Sequence, residues 1–120
     1  MRLLVCGTRT FRDKEFVFEK LDVLSERYIT VIIEGEARGA DTFGKEWGIE
    51  HGIKVESYPA DWEHQGKSAG PQRNKQMLVE GKPDMVAAFI DRPLSETKGT
   101  QNMVSLALWA KIEVEVYQLY

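Results

Sequence analysis

The sequence comprises 120 residues, of which 42% are hydrophobic and 29% are charged, and its net charge at pH 7 is −3. This length and composition indicate one globular domain spanning residues 1–120, and they exclude a disordered tail, a collagen-like repeat and a coiled coil. The single cysteine, Cys6, excludes an intramolecular disulfide bond and a cysteine-based zinc site. The acidic balance disfavours nucleic-acid binding through bulk positive charge.

The sequence carries no recognisable signal for export or membrane insertion. The N-terminal apolar run, residues 3–6, is too short for a signal peptide, and no stretch approaches the ~20 apolar residues of a membrane span. Together with the lone cysteine, this pattern predicts a cytoplasmic protein without a membrane partner.

Short apolar strands alternate with amphipathic helices along the chain. The predicted strands are residues 3–6, 30–33, 53–58, 85–90 and 112–117. The first predicted helix covers residues 13–28, with an apolar stripe of Val17, Leu21, Leu24 and Tyr28. Ala40, Phe43 and Trp47 have the spacing of a second helix. A third helix is predicted to begin near Pro71 and to continue toward Gly81. A fourth begins at Gly99-Thr100 and carries Met103, Leu106, Ala107 and Ala110 on one face.

This alternation predicts an α/β fold: a three-layer, Rossmann-like domain with about five mainly parallel strands and helices on both faces. The second and fourth strands are continuously apolar, as expected where both faces of a parallel sheet are covered. In such sheets ligands bind beyond the carboxyl ends of the strands, where the strand order reverses. The loops that follow the strands are therefore the places to look for a site.

The loop after the first strand combines a glycine with an arginine. Gly7 permits a tight exit from the strand, and Arg9, two residues after it, can direct a guanidinium at a phosphate or a carboxylate. A plain turn with a surface arginine is the alternative. The spacing is not that of the G-x-G-x-x-G fingerprint of dinucleotide-binding proteins.

The loop after the second strand contains two glycines, Gly35 and Gly39, that free the backbone to approach a ligand. The helix that follows begins with unpaired backbone N–H groups. Asp41, near that helix start, either caps the helix or holds a ribose hydroxyl.

The loop after the third strand, residues 59–74, is the longest in the sequence, and long loops in compact domains tend to be functional. Trp62 is positioned to stack on a base or a similar ring, with a lid that packs on the core as the alternative. Arg73, early in the next helix, suits anion binding. His64 has no partner at metal-ligand spacing.

The loop after the fourth strand ends in Gly99-Thr100 at the start of a helix. Backbone N–H donors, a hydroxyl and the positive helix end would converge there in a phosphate cradle, whereas a plain N-cap at Thr100 is the alternative. Because these loops should share one sheet edge, they favour a nucleotide-like ligand. The candidate ligand-binding residues are Gly7, Thr8, Arg9, Gly35, Arg38, Gly39, Ala40, Asp41, Asp61, Trp62, Arg73, Asn74, Lys98, Gly99 and Thr100.

A set of ordered motifs resembles the SLOG superfamily, named for the Smf/DprA and LOG proteins, and in particular its short single-domain branch of mostly uncharacterised bacterial and phage proteins. The blocks that carry the resemblance are Gly7-Thr8-Arg9 with Phe11; Gly35-x-Ala37-Arg38-Gly39-Ala40-Asp41; Pro59-Ala60-Asp61-Trp62; Ala69-Gly70-Pro71-x-Arg73-Asn74-x-x-Met77; and Lys98-Gly99-Thr100. Together they span nearly the whole chain.

The resemblance implies a Rossmann-like sheet whose Gly-Thr loop binds the phosphate of a nucleotide or nucleotide-derived ligand. The LOG relatives are phosphoribohydrolases with a Gly-Gly-x-Gly-Thr-x-x-Glu loop and an arginine on the preceding helix, which Gly99-Thr100 and Arg73 match. The glutamate position is Met103 in this sequence. A hydrolase would therefore need another carboxylate, for which the candidates are Glu36, Asp41, Asp61 and Glu96.

Three functions follow from these patterns. The first is binding, by sensing or sequestering, of a nucleotide or nucleotide-derived ligand. The second is a phosphoribohydrolase-like nucleotide N-glycosidase. The third is single-stranded DNA binding of the DprA type, which the acidic composition disfavours. No cofactor or metal site is predicted; a divalent ion is compatible with the sequence, but nothing in it indicates one.

The C-terminal region has more apolar residues than its own core should need. Leu108 and Trp109 lie off the apolar stripe of the last helix, and Tyr117, Leu119 and Tyr120 follow. We therefore expect a homodimer or a higher homo-oligomer. The alternative is that residues 117–120 fold back on their own chain.

Overall fold

A computed structural model describes residues 1–120, in which parallel strands alternate with helices. The strands are β1 (Arg2–Gly7), β2 (Val31–Glu34), β3 (Lys54–Ser57), β4 (Met85–Ile90) and β5 (Glu113–Gln118). The α-helices are α1 (Lys14–Leu24), α2 (Ala40–Glu50), α3 (Trp62–Gln65), α4 (Ala69–Gly81) and α5 (Lys98–Trp109). Short 3₁₀ turns occupy Ser25–Arg27, Gly66–Ser68 and Leu94–Glu96. None of the helices has the length and apolar character that crossing a bilayer requires.

The five strands form one parallel sheet in the order β3-β2-β1-β4-β5. Helices α1 and α2 cover one face, and α4 and α5 cover the other. The predicted three-layer, Rossmann-like α/β fold is therefore confirmed. The strand order reverses between β1 and β4, because β1 leads into a helix on one face and β4 leads into a helix on the opposite face.

The central strands divide their side chains between two apolar layers. Leu3 and Val5 of β1 pack in the layer under α1 and α2, whereas Leu4 and Cys6 pack in the layer under α4 and α5. All residues of β2 and β4 are buried, which explains why these strands are apolar at consecutive positions.

The first helix ends earlier than its apolar spacing predicts. The α-helix stops at Leu24, a 3₁₀ turn follows, and Tyr28 adopts the left-handed conformation with φ 59°. Tyr28 is 84% exposed, so its placement on the core stripe was wrong. The left-handed residue ends the helical segment and redirects the chain toward β2.

The predicted long loop at residues 59–74 contains more regular structure than expected. Asp61 accepts a hydrogen bond from the backbone N–H of His64 and so caps α3, which a 3₁₀ turn joins to α4. Pro71 lies in the first turn of α4, as predicted. On α5 the predicted stripe is wrong at one position, because Ala110 lies beyond the helix and is exposed while Val104 is buried.

The C-terminal residues divide between the core and the surface. The Tyr117 ring stacks on Phe89 with centroids 5.0 Å apart, and the backbone N–H of Leu119 donates to the Ile90 carbonyl at 3.0 Å. This part of the chain does fold back on its own domain. Trp109, by contrast, is 83% exposed. The homo-oligomer stays a prediction.

The exit from β1 is sterically closed to any side chain. A Cβ on Gly7 would overlap the Phe89 carbonyl oxygen of β4 and would lie 2.6 Å from the Cβ of Ala40 on α2. The next residue, Thr8, donates its backbone N–H to that same Phe89 carbonyl at 3.0 Å. The first loop is therefore attached directly to β4.

We expect Gly7→Ala to lower the free energy of unfolding by about 3 kcal/mol, because backbone of the central strands would have to move. Gly99→Ala is the matched control, since a Cβ there meets nothing within 4 Å, and its effect should stay within about 1 kcal/mol. Urea denaturation followed by circular dichroism measures both. Equal stabilities of the two variants would contradict this account of the β1 exit.

Candidate functional site

A cavity of about 260 Å³ lies at the carboxyl edge of the sheet, at the switch point between β1 and β4. Its floor is formed by Cys6, Met77 and Met103, each of which is at most 7% exposed. The loops after β1, β2 and β4 form the walls together with one side of α4. This is the position at which doubly wound sheets bind their ligands.

The N-terminus of α5 opens into this cavity without a cap. The first backbone bond at this end runs from Gln101 N–H to the Thr97 carbonyl at 2.8 Å, and the preceding N–H groups of Lys98, Gly99 and Thr100 have no acceptor in the protein. The Thr97 hydroxyl donates to the Leu94 carbonyl instead of capping the helix. Free N–H donors and the positive end of the helix dipole therefore face the cavity.

Two threonine hydroxyls add polar groups to the cavity wall. Thr100 is 6% exposed, and its hydroxyl makes no hydrogen bond within the protein. Because the helix begins at Lys98, the interpretation of Thr100 as a plain N-cap is wrong. Thr8 is 8% exposed, and its hydroxyl lies near Asp91 without a hydrogen bond joining the two side chains.

Arg73 is the half-buried cation of the site. Its Nη1 donates to the Gly35 carbonyl and its Nε donates to Asn74 Oδ1 at 3.0 Å, which leaves Nη2 without a protein partner. Burial lowers the pKa of Arg73 from its ordinary value, because the guanidinium loses hydration that no carboxylate within 4 Å replaces. An anion in the cavity would stabilise this charge.

Asn74 fixes the two helices of this face relative to each other. Its amide donates to the Gly99 carbonyl at 3.2 Å and to Asn102 Oδ1 at 2.9 Å, and the residue is 4% exposed. These hydrogen bonds from Asn74, a residue of α4, thus fix where the N-terminus of α5 lies relative to α4.

Asp41 is a buried carboxylate that holds the loop after β2. It is 4% exposed, and its Oδ2 accepts hydrogen bonds from the backbone N–H groups of Gly35 at 2.9 Å and Ala37 at 3.4 Å. The capping position of α2 is occupied by Gly39, so the interpretation of Asp41 as a helix cap is wrong. Desolvation raises the pKa of Asp41 from its ordinary value of 3.8 to about 7, against the lowering effect of the Gly35 N–H and of Arg73.

The charge around the cavity is opposite in sign to that of the whole chain. The cations along its wall are Arg9, Arg73, Arg92 and Lys98, and the carboxylates are Asp41 and Glu96. One of these cations, Arg92, is also bonded to Asp91 at 2.9 Å. The cavity is a cationic site on a chain with a net charge of −3, which favours an anionic ligand.

The structure brings most of the sequence-predicted residues together. The main cavity is lined by Gly7, Thr8, Arg9, Asp41, Arg73, Asn74, Lys98, Gly99 and Thr100. A smaller adjoining cavity is lined by Gly35, Arg38 and Trp62, together with Arg9 and Arg73.

Three predicted residues line neither cavity, because each has a structural task. Ala40 is fully buried beneath Gly7, and Gly39 has φ 76° where a Cβ would overlap the Thr8 carbonyl. The carboxylate of Asp61 accepts from both the backbone N–H and the ring nitrogen of His64, the latter at 2.9 Å.

Other residues of the cavity wall escaped the sequence analysis. Arg92 is the second residue after β4 and its Nη2 donates to the Thr10 hydroxyl at 3.0 Å, so the strand-end rule could have found both. Met77 was named only as part of a motif block, and Met103 only as an apolar stripe residue at the position of the LOG glutamate; neither was among the predicted ligand-binding residues, because a helical pattern does not show which of its members border a cavity.

Comparison with known proteins identifies the family. Residues 1–64 match the YAcAr family, described as the YspA, cpYpsA-related SLOG family. The chain belongs to this SLOG family. The Gene 61 protein of Mycobacterium phage D29 is 35% identical over an alignment of 120 positions, which covers 94% of this SLOG chain and 93% of the phage protein. No solved structure matches the chain.

The resemblance seen in the motifs is therefore confirmed, and the family match covers a defined part of the site. Residues 1–64 of this SLOG protein include the loops after β1 and β2 and extend to Trp62. The α4 and α5 walls of the cavity lie outside that match.

Stability should depend on pH through Asp41. Because its pKa is raised in the fold, the folded SLOG domain binds more protons than the unfolded chain between about pH 4 and pH 7, and stability falls as pH rises through this window. Asp41→Asn removes this titration, so it serves as the reference. We expect the wild type to lose roughly 4 kcal/mol of its free energy of unfolding, relative to Asp41→Asn, between about pH 4 and pH 7. Urea denaturation at several pH values measures this difference, and a flat difference would show that burial does not raise the pKa.

Proposed function

We propose that this protein binds a nucleotide or nucleotide-derived ligand at the carboxyl edge of its sheet, with the phosphate of the ligand at the N-terminus of α5. The observation that carries the proposal is the uncapped start of α5, whose free N–H groups face a cationic cavity beside the unpartnered Thr100 hydroxyl. Membership of the SLOG family supports it, since the superfamily resemblance implies phosphate binding by the Gly-Thr loop.

The groups around this helix end suit a phosphate in both charge and geometry. Backbone N–H groups at a helix start form a ready-made anion site, to which the Thr100 hydroxyl and the free Nη2 of Arg73 add donors. At Gly99 a Cβ would meet nothing within 4 Å, so a phosphate oxygen can approach the backbone freely.

Binding without fast turnover is the form of the proposal that the cavity floor supports. Met103, at the position of the LOG glutamate, is 1% exposed and lines the cavity, so its thioether lies at the site where a carboxylate would be needed. A thioether neither donates nor accepts a proton at neutral pH. The domain would then sense or sequester its ligand.

The phosphate site is tested with Thr100→Val, which removes one hydroxyl at nearly constant volume. Isothermal titration with nucleoside 5′-monophosphates should show about a tenfold to hundredfold loss of affinity, the usual effect of losing a hydrogen bond to a charged group. Thr30→Val is the matched control, since Thr30 precedes β2 at the opposite edge of the sheet, and it should leave the affinity unchanged. The proposal fails if no nucleotide raises the melting temperature of the wild type, because a ligand at a hundred times its Kd adds about 2.7 kcal/mol.

One observation favours a nucleotide N-glycosidase as a second candidate. Asp41 lines the main cavity, and with a pKa of about 7 it populates both protonation states near neutrality, as a general acid or base requires. The other candidate carboxylates are less suited. Glu36 lines the adjoining cavity rather than the main one and lies 3.7 Å from Lys45. Asp61 is bonded to His64, and Glu96 is exposed at the rim of the main cavity.

Product analysis separates the two candidates. We expect a bound nucleoside 5′-monophosphate to be recovered intact by chromatography after long incubation, because Met103 replaces the expected carboxylate. Release of free base by the wild type that Asp41→Asn abolishes, while Glu96→Gln retains it, would instead establish the glycosidase.

A further inference from the structure

A second cavity, of about 230 Å³, adjoins the main one on the side of β2 and α3. The two cavities share Arg9, Ala37 and Arg73 in their walls. Each is smaller than the ~300 Å³ at which small-molecule sites usually begin, whereas the two together fall within the usual range. The shared wall residues make them two compartments of one site.

The second compartment is bordered by an aromatic side chain, that of Trp62. Trp62 begins α3, whose start Asp61 caps, and the residue is 48% exposed. The far edge of the indole rests on α4 at Gly70, where a Cβ would lie 3.3 Å from Cη2. The ring therefore contacts α4 along one edge and borders the open cavity, so it is available for stacking and is not a core residue.

Arg9 links the platform to the main cavity. Its guanidinium carbon lies 5.3 Å from the centroid of the Trp62 ring, and the side chain makes no hydrogen bond or ion pair within the protein. A cation–π contact at an exposed site is weak. Arg9 can therefore leave the indole for a phosphate or cover a ring that stacks there.

We propose that Trp62 is the stacking platform for the base of a nucleoside 5′-monophosphate whose phosphate occupies the α5 N-terminus, and that Arg9 contacts both ends of this ligand. The inference rests on the proposed function and assigns the substrate class: one base, one ribose and one phosphate across two compartments. Stacking on an aromatic side chain tolerates any base, and by alanine substitution it contributes about fivefold to a hundredfold in affinity.

The experiment compares ligands that differ only in the base. Isothermal titration gives the Kd of ribose 5-phosphate and of the adenosine, guanosine, cytidine and uridine 5′-monophosphates for the wild type and for Trp62→Ala. We expect at least one nucleotide to bind the wild type fivefold to a hundredfold tighter than ribose 5-phosphate. In Trp62→Ala that advantage should disappear, while the affinity for ribose 5-phosphate stays within about twofold of the wild type. Trp62→Phe should restore most of the advantage.

Tryptophan fluorescence supplies a second readout and a matched control. Trp47 is fully buried. Trp109 is the last residue of α5, is 83% exposed and lines neither cavity. A nucleotide that binds more tightly than ribose 5-phosphate should quench the tryptophan fluorescence of the wild type and of Trp109→Ala, but not that of Trp62→Ala.

The outcomes distinguish this inference from the proposed function. If ribose 5-phosphate binds and no base improves its affinity, or if Trp62→Ala weakens ribose 5-phosphate and nucleotides equally, the platform is refuted while the phosphate site stands. If neither ribose 5-phosphate nor any of the nucleotides binds the wild type, the proposed function is wrong and the platform with it.

Discussion

The contact between β1 and β4 at Gly7 is the constraint on which the site depends. Because no side chain intervenes, the first loop starts against the Phe89 carbonyl and lies beside the chain that leaves β4. The connections then diverge to opposite faces, so a crevice opens between them at the carboxyl edge. The uncapped α5 helix faces this crevice, and Asn74 sets its position from α4.

The cavity brings together charged and hydrogen-bonding groups that lack partners within the protein. Arg73 is half-buried without a carboxylate within 4 Å, and three N–H groups at the start of α5 have no acceptor. Water satisfies such groups only while it has access, and an unpaired buried donor costs about 1–3 kcal/mol. A phosphate at this position, as proposed above, would supply an acceptor for these donors and a counter-charge for Arg73.

The sequence is most informative where local pattern and tertiary structure agree. Strands β2 and β4 were predictable because both faces of a central parallel strand are covered, which leaves continuous apolar runs. The convergence of the strand-end loops followed from the topology. The motif blocks were specific enough to identify the SLOG family.

Features that depend on tertiary contacts were not predictable in the same way. Tyr28 has the spacing of a helical stripe, but it takes a left-handed conformation where the chain turns. Asp41 has the position of a cap, yet its hydrogen bonds go to the preceding loop. The pairing of Arg9 with Trp62 joins residues more than fifty positions apart in the chain, which no local pattern encodes.

Cys6, at the cavity floor, provides a chemical probe of β1, because the reactivity of its thiol depends on whether it is buried. It is the only thiol in the chain, it is 7% exposed, and burial raises its pKa far above the ordinary value. Thiolate is the reactive form of cysteine, so this burial should slow alkylation while β1 remains in the sheet. The unfolded chain exposes the same sulfur with an ordinary acidity. The rate of alkylation therefore reports how often this thiol becomes exposed and ionised, and the measurement uses a native residue.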